Sequence, residues 1–251
     1  MSHIAKSLVV LTFFSPVLMS QSPEERRIKI EEMKSQPSSQ EALNRKARSI
    51  EQLKKEGVPV IESLPVIEDS KGAKTRTTEE VAQRAIAVCL AAVKGEGIEQ
   101  ETIDILVKQF DAEKFFSPEE AEFIKKAEIT QSDRVKFSWR YECYWVLLWS
   151  LGYVETLDRP EGICDVKKAV SFLRGKTTDE FIKGAKLRPI NEILDQADLI
   201  YRYNWAAVNA RVKGEETPAE LEAGVVQERH YVLNWLIGYM DQKWDDISTD
   251  T

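Results

Sequence analysis

The segment from residue 135 to 153, VKFSWRYECYWVLLWSLGY, constrains the fold more than any other part of the chain. It holds three of the six tryptophans and three of the seven tyrosines, and it contains no proline. This composition predicts a helix, from about residue 132 to 153, that is apolar nearly all round and lies at the centre of a helical domain. Only Arg140 and Glu142 place charges within its apolar part.

From residue 77 onward the pattern is helical almost to the end, and no segment has the two-residue period of a strand. Thr77 with Glu80, and Ser117 with Glu120, have the spacing of capping boxes that open helices. Thr177 with Glu180 has the same spacing. We expect long helices from about 189 to 212 and from 218 to 240. The predicted fold is all-α, a bundle or orthogonal array of helices forming one core domain over residues 77–251.

Residues 1–20 have two interpretations. A weakly positive start and a short apolar run are typical of a secretory signal peptide, which would place the protein outside the cytoplasm or in the periplasm. Alternatively Met19 is the true start, residues 1–18 are a mis-assigned extension, and the protein is cytoplasmic. Both interpretations leave this segment out of the fold.

Residues 21–57 predict two charged helices, the second with Leu43, Ala47, Ile50 and Leu53 on one face. Both helices mix acidic and basic residues, which favours a solvated face over a nucleic-acid-binding arm. Residues 58–76 follow as an extended arm with a tandem pattern, VPVIE and then LPVIE, six residues apart. Each proline keeps its neighbourhood extended and excludes a central strand. The arm is expected to lie over the helical core and to bury Val60, Ile61, Val66 and Ile67, either as simple packing or as a peptide-like lid over a pocket.

The net charge, the length of the apolar stretches and the cysteine spacing argue against several classes of protein. A formal net charge of -7 argues against general nucleic-acid binding, which requires a basic surface. No apolar stretch is long enough to predict a transmembrane helix. The three cysteines are widely spaced, which argues against a zinc site, and Cys89 and Cys143 are predicted to be small core residues.

Charges on apolar helix faces are the most informative feature. In the last long helix, Glu228 and Arg229 interrupt two apolar stripes and His230 follows them. In the preceding helix, Asp198 and Arg202 are four apart with the acid first, the favourable order for an ion pair. Because an isolated charge in a core costs several kcal/mol, these groups must pair or line a wet cavity. The first interpretation is a structural salt-bridge network between three core helices.

The second interpretation is a polar pocket. Glu228 or Asp198 would act as a base, with His230 as a third catalytic candidate, and arginines would hold an anion. The ligand-binding candidates are Arg140, Glu142, Asp195, Arg202, Arg229, Trp139, Trp149, Trp205 and Trp235. A helical di-metal site is rejected because Gln227 stands three residues before His230. A carboxylate-only magnesium or manganese site on Asp195, Asp198 and Glu228 has unspecific spacing, so no metal or other cofactor is implied.

Several segments together resemble the uncharacterised bacterial family known as domain of unknown function 4272, over about residues 50 to 251. The segments are LPVIE at 64–68, FSPEE at 116–120, WRYE at 139–142, LLWSLG at 147–152, LRPINEILD at 187–195, DLIYR at 198–202 with WA at 205–206, ERH at 228–230 with LNW at 233–235, and the ending from WD at 244–245 to DT at 250–251. The resemblance implies a mostly helical domain and supplies no activity, substrate or catalytic residue. A leader is not associated with the family, which favours the start at Met19.

The leading prediction for function is therefore a helical binding or interaction module with a buried polar network, acting on a small-molecule or protein partner. The alternative is a small-molecule enzyme, a hydrolase or an anion-binding transferase, with a Trp-lined pocket of Glu, Asp and Arg. A third option, a purely structural partner protein, would require a large exposed apolar patch.

Overall fold

The computed structural model describes residues 22–35 and 37–251, and the proposed signal peptide lies outside them. The described chain is all-α and contains no strand. The α-helices are α1 (Pro23–Ser35), α2 (Gln40–Lys55), α3 (Thr78–Gly95), α4 (Gln100–Phe110), α5 (Pro118–Lys125), α6 (Gln131–Ser138), α7 (Arg140–Ser150), α8 (Val166–Ser171), α9 (Thr178–Gly184), α10 (Ile190–Lys213) and α11 (Ala223–Leu236).

The helices pack in a continuous series. Helix α3 lies against α7, α7 against α11, α11 against α10, and α10 against α2 at the periphery. All eleven residues of α7 are buried, which confirms the predicted central position of this part of the Trp-rich segment. Cys89 and Cys143 are buried core residues with free thiols, as predicted.

The expected capping boxes are all present. Thr77, Ser117 and Thr177 each accept a hydrogen bond from the backbone N–H three residues on, and the glutamate there accepts one from the capping residue's N–H. These contacts are local, so the sequence alone predicts where α3, α5 and α9 begin.

The single central helix predicted from residue 132 to 153 was wrong, because the chain breaks at Trp139 into α6 and α7. Helix α6 is not apolar all round, and its Val135 is 48% exposed. Next to the break, the end of α6 packs closely on α3. A Cβ on Gly95 would lie only 2.7 Å from the backbone nitrogen of Ser138, so this close approach requires glycine at position 95.

The last long helix is also shorter than predicted. Residues Pro218–Glu220 form a separate 3-10 turn, and α11 begins at Ala223 after Glu222, whose side chain accepts a hydrogen bond from Gly224 N. The helix ends before Gly238, which has a φ of +66°. A Cβ there would lie 2.5 Å from the carbonyl oxygen of Lys74, so the arm crosses at this glycine.

The aliphatic residues that share one face of α2 are not buried together. Only Leu53 of the four is buried, whereas Leu43 is 43% exposed. The face that packs toward α10 carries Ala42, Arg45, Ser49 and Leu53. Arg45 can be buried because each nitrogen of its guanidinium has an acceptor: Nε donates to Asp195, Nη1 to the carbonyl of Glu68 and Nη2 to Glu41.

The arm at residues 58–76 contains no helix or strand and crosses the α2–α10 side of the molecule. It buries Val58 and Leu64, the residues that directly precede the two prolines. We expected Val60, Ile61, Val66 and Ile67 to be buried instead, yet Ile61 is 38% exposed. The difference arises because cations of α2 and α10 bind the backbone carbonyls of the arm.

Candidate functional site

Two ion pairs join α7 and α11, and the arginine lies on α7 in one pair and on α11 in the other. Arg140 Nη1 on α7 donates to Glu228 Oε2 on α11 at 2.9 Å, and Arg229 Nε on α11 donates to Glu142 Oε2 on α7 at 3.2 Å. Each helix therefore contributes one acid and one base. The arrangement fixes the register of α7 on α11, because a shift along either helix would place like charges together.

The Arg140–Glu228 pair has further partners. The Cys143 thiol donates to Glu228 Oε2 at 3.1 Å, and the guanidinium of Arg140 lies 4.2 Å from the centre of the Tyr231 ring. Burial opposes the charge of Arg140, but the Glu228 carboxylate outweighs burial and holds the pKa of Arg140 above the usual value. Burial and the Glu228 carboxylate raise the pKa of the Cys143 thiol well above its ordinary value, so it is a hydrogen-bond donor and not a nucleophile.

The Glu142–Arg229 pair holds the loop that follows α7. The backbone N–H of Cys164 donates to Glu142 Oε1, and Arg229 Nη1 donates to the carbonyl of Asp158 at 2.6 Å. Glu142 is 2% exposed, so its charge is compensated entirely by these protein groups. This part of the network therefore positions residues 158 to 164.

Asp198 and Arg202 form the third pair, but within α10. Arg202 Nε and Nη2 donate to the two carboxylate oxygens of Asp198 at 2.9 and 2.7 Å. Arg202 Nη2 also donates to the carbonyl of Pro65 in the arm at 3.2 Å. The third helix thus directs its charges toward the arm, and Asp195 on the same helix accepts from Arg45 and Arg48 of α2.

The four tryptophans proposed as pocket walls have different neighbours. Trp139 lies over Gly224, where a Cβ would be 2.6 Å from the ring. Trp149 lies under the guanidinium of Arg188 at 4.9 Å. Trp205 is half-buried on α10, and Trp235 packs edge to face against Trp244.

An arginine–aromatic cluster surrounds Trp244 near the C-terminus. The Trp235 and Trp244 rings meet edge to face at 5.4 Å, and the guanidinium groups of Arg76 and Arg84 lie 4.9 and 4.7 Å from the centres of the two rings, in that order. Arg84 also pairs with the buried Glu120 of α5. The sequence did not predict this cluster. The available signal was Arg84, a charge inside the otherwise apolar middle of α3.

His230 is 2% exposed and packs against the Tyr201 ring, with centroids 5.7 Å apart. Its Nδ1 has no hydrogen-bond partner among the described residues. Burial lowers its pKa to about 3, so the imidazole is neutral at pH 7. A general base works best with a pKa near the operating pH, which places His230 outside the useful range for that role.

Two surface grooves lie away from the charged network. One, of about 500 Å³, runs along α2 to Glu62 of the arm and is lined by Leu43, Lys46, Ala47, Ile50, Glu51, Lys54 and Glu62. The other, of about 330 Å³, is lined by Asp104, Val107, Lys108, Asp111 and Glu113. None of the candidate catalytic or ligand-binding residues lines either groove.

Within residues 22–35 and 37–251, no cluster of three or more His, Cys, Asp or Glu side chains has the arrangement of a metal site. Asp195, Asp198 and Glu228 instead each contact an arginine. Over the same residues, no helix combines the length and the apolar character needed to cross a membrane.

Comparison with known proteins gives a family but no activity. No curated protein and no solved structure matches the chain. A family model with the description "Domain of unknown function (DUF4272)" matches residues 45–247, which include α3 to α11 and every candidate residue named above. The chain therefore belongs to the DUF4272 family.

Proposed function

We propose that this protein is an interaction module that docks an amphipathic helix of a partner protein on the outer face of α2. The outer α2 face is defined by Leu43, Lys46, Ala47, Ile50, Glu51 and Lys54. The observation that carries the proposal is the inverted character of α2, which exposes aliphatic residues to solvent while its opposite face buries Arg45.

The geometry of the outer α2 face suits a helix. Leu43, Ala47 and Ile50 recur at intervals of four and three residues, so they form a ridge along successive turns. The face spans residues 43 to 54, which is roughly 16 Å of helix. Small Ala47 lies in the middle and permits close approach, while Glu62 of the arm lines the groove beside it. A helix with apolar residues at i, i+4 and i+7 fits such a groove.

The charges around the groove determine what else the partner helix must carry. Glu51 and Lys54 project from α2, and Lys54 pairs with Glu62 at 3.3 Å. Both signs are present, so a helix with both acidic and basic residues beside its apolar stripe has the best complementarity.

The alternative is the small-molecule enzyme, in which Glu228 or Asp198 would act as a base. Each of these carboxylates is already bound by an arginine, and His230 has lost its basicity through burial. The pairing supports the binding module over the enzyme, since a base must be free to accept a proton from a substrate.

A phage-displayed library of 14-residue helices provides the test. We expect selection on the wild-type protein to enrich helices with apolar residues at i, i+4 and i+7. Their affinity, measured by fluorescence anisotropy, should fall at least tenfold for Ile50→Asp. Ile105→Asp is the matched control, because Ile105 is an exposed isoleucine on α4 outside the groove. Selected helices that bind Ile50→Asp and wild type equally, or no enriched helix at all, would overturn the proposal.

A further inference from the structure

The arm is held by three cations that bind its backbone and not its side chains. Lys46 Nζ donates to the carbonyls of Glu62 at 2.5 Å and Leu64 at 2.8 Å. Arg202 donates to the carbonyl of Pro65 at 3.2 Å. We refer to Arg45, Lys46 and Arg202 together as the arm seat, since Arg45 donates to the carbonyl of Glu68 at 3.2 Å.

We propose that the arm seat is a binding site for an extended peptide segment of a partner protein, and that the chain's own arm fills this site in the free protein. Backbone carbonyls are present in every peptide, so the three cations can hold any extended chain that reaches them. Selectivity must then come from the few side chains that are buried. Those are Leu64, which is buried, and Pro65, Val66 and Ile67, which are half-buried.

The tandem pattern of the arm shows what the seat accepts. Pro59 to Glu62 and Pro65 to Glu68 have the same four residues, Pro-Val-Ile-Glu, six positions apart. Glu62 and Glu68 hold corresponding positions, and each has its carbonyl bound by one of two adjacent α2 cations, Lys46 and Arg45. The same row of α2 donors therefore binds two copies of one pattern, which favours recognition of the pattern over recognition of a single fixed segment.

Proline suits this mode of binding. It has no backbone N–H, and it keeps the residue before it extended. Leu64, which precedes Pro65, is buried, and so is Val58, which precedes Pro59 in the first copy of the pattern. A ligand for the seat is therefore an extended segment with an aliphatic residue, then proline, then two β-branched residues.

The resident arm does not use every donor of the seat. Arg202 is 3% exposed, and its Nη1 has no hydrogen-bond partner among the described residues. A buried guanidinium donor without an acceptor is unfavourable. A ligand that places a carbonyl or carboxylate oxygen at Arg202 Nη1 would satisfy this donor, which the arm leaves unfilled.

The arm competes with any external ligand because it is tethered to the same chain. A tethered segment acts at an effective concentration in the millimolar range, so peptides should bind the wild-type protein weakly. A substitution that weakens the contacts of the arm should expose the arm seat and raise the affinity of external peptides for it.

A fluorescein-labelled peptide corresponding to residues 62–70 tests the proposal by anisotropy. Leu64→Asp removes the buried side chain of the arm, and we expect it to bind this peptide at least tenfold more tightly than wild type does. Ser63→Asp is the matched control, since it adds the same charge at the neighbouring exposed position. In the Leu64→Asp background, Lys46→Met should weaken binding at least tenfold and Arg48→Met should not.

Equal peptide affinity for Leu64→Asp and wild type, or equal binding of a scrambled peptide, overturns the proposal. Dimerisation of Leu64→Asp by size-exclusion chromatography without peptide binding would assign the seat to a second copy of the chain, and also overturns it. If Leu64→Asp does not fold, hydrogen exchange of wild type decides. Arm amides that exchange faster than those of α7 support a displaceable arm, and equal protection overturns it. The two sites share Lys46, but Leu43 and Ile50 take no part in the arm seat, and Arg45 and Arg202 take no part in the outer α2 face, so the two proposals can fail separately.

Discussion

The α7–α11 interface and the α2–arm region both bury arginines, but they give them different partners. Between α7 and α11, Arg140 and Arg229 each meet a carboxylate from the opposite helix. Around the arm, Arg45 and Arg202 have carboxylates on the helices, but toward the arm they bind only carbonyl oxygens. Carboxylates exist only where the sequence provides them, whereas carbonyls exist at every residue.

The α7–α11 interface fixes the fold, whereas the α2–arm region can exchange binding partners. Paired charges inside the core permit one register, and removing one partner leaves the other uncompensated. Carbonyl contacts at the periphery permit several registers and several chains. The candidate residues that sequence analysis selected as a pocket mostly belong to the first region, and the two proposed binding surfaces belong to the second.

The largest expected effect tests the claim that the interior pairs are structural. Arg229→Met leaves the Glu142 carboxylate buried without its cation, so the free energy of unfolding should fall by about 3–5 kcal/mol, measured in urea. The double variant Glu142→Gln with Arg229→Met should recover most of this loss. Arg48→Met, which removes an exposed cation from its pair with Asp195, should cost less than about 1 kcal/mol. A loss below about 1 kcal/mol in Arg229→Met would remove the contrast between the two regions.

The second effect concerns pH and His230. Its folded-state pKa is lowered to about 3 from 6.5, so the unfolded chain takes up a proton that the folded protein does not. The stability that neutral His230 contributes is full above pH 6.5 and is lost as pH falls toward 3. The loss is about 1.4 kcal/mol per pH unit, or about 2 kcal/mol between pH 6.5 and 5. Between pH 6.5 and 5, the free energy of unfolding of His230→Gln, measured in urea, should fall by about 2 kcal/mol less than that of wild type. The same pH dependence in both proteins would contradict a buried neutral histidine.

A smaller effect is expected at the more open interior pair. The Glu228 side chain is 16% exposed, against 2% for Glu142. Water can therefore solvate part of the uncompensated Arg140 in Glu228→Gln, and we expect a loss of about 1–2 kcal/mol. Glu142→Gln, measured in the same thermal and urea series, should cost more. The reverse order would mean that burial does not rank these pairs.

The smallest effect sharpens the description of the outer α2 face. Leu43→Asp and Ile50→Asp should change the free energy of unfolding by less than about 0.5 kcal/mol, because neither residue contributes to the core in the free protein. Leu53→Asp, on the inward face of the same helix, should cost several kcal/mol, since it buries a charge without a partner. If Ile50→Asp destabilises the protein as much as Leu53→Asp does, the outer face is part of the core and not a docking surface.

Sequence by itself determined the helical class, the helix starts at Thr77, Ser117 and Thr177, and the central position of α7. These features depend on residues within four positions of one another or on an apolar composition that has only one suitable location. The charges of the α7–α11 network could also be identified, because a charge within an apolar stripe requires a partner.

The sequence also predicted the Asp198–Arg202 pair within one helix. Only the tertiary structure decided which charges pair between helices, where the Trp-rich segment breaks and which face of α2 turns inward. Arg229 and Glu142 are 87 residues apart, so nothing local relates them. The break at Trp139 lies beside the close contact of Ser138 with Gly95 of another helix. Arg45 could replace aliphatic residues on the inward face because α10 and the arm bring Asp195 and the Glu68 carbonyl within hydrogen-bond distance of it. Periodicity ranks residues by hydrophobicity alone, whereas burial also depends on whether distant parts of the chain satisfy a polar group.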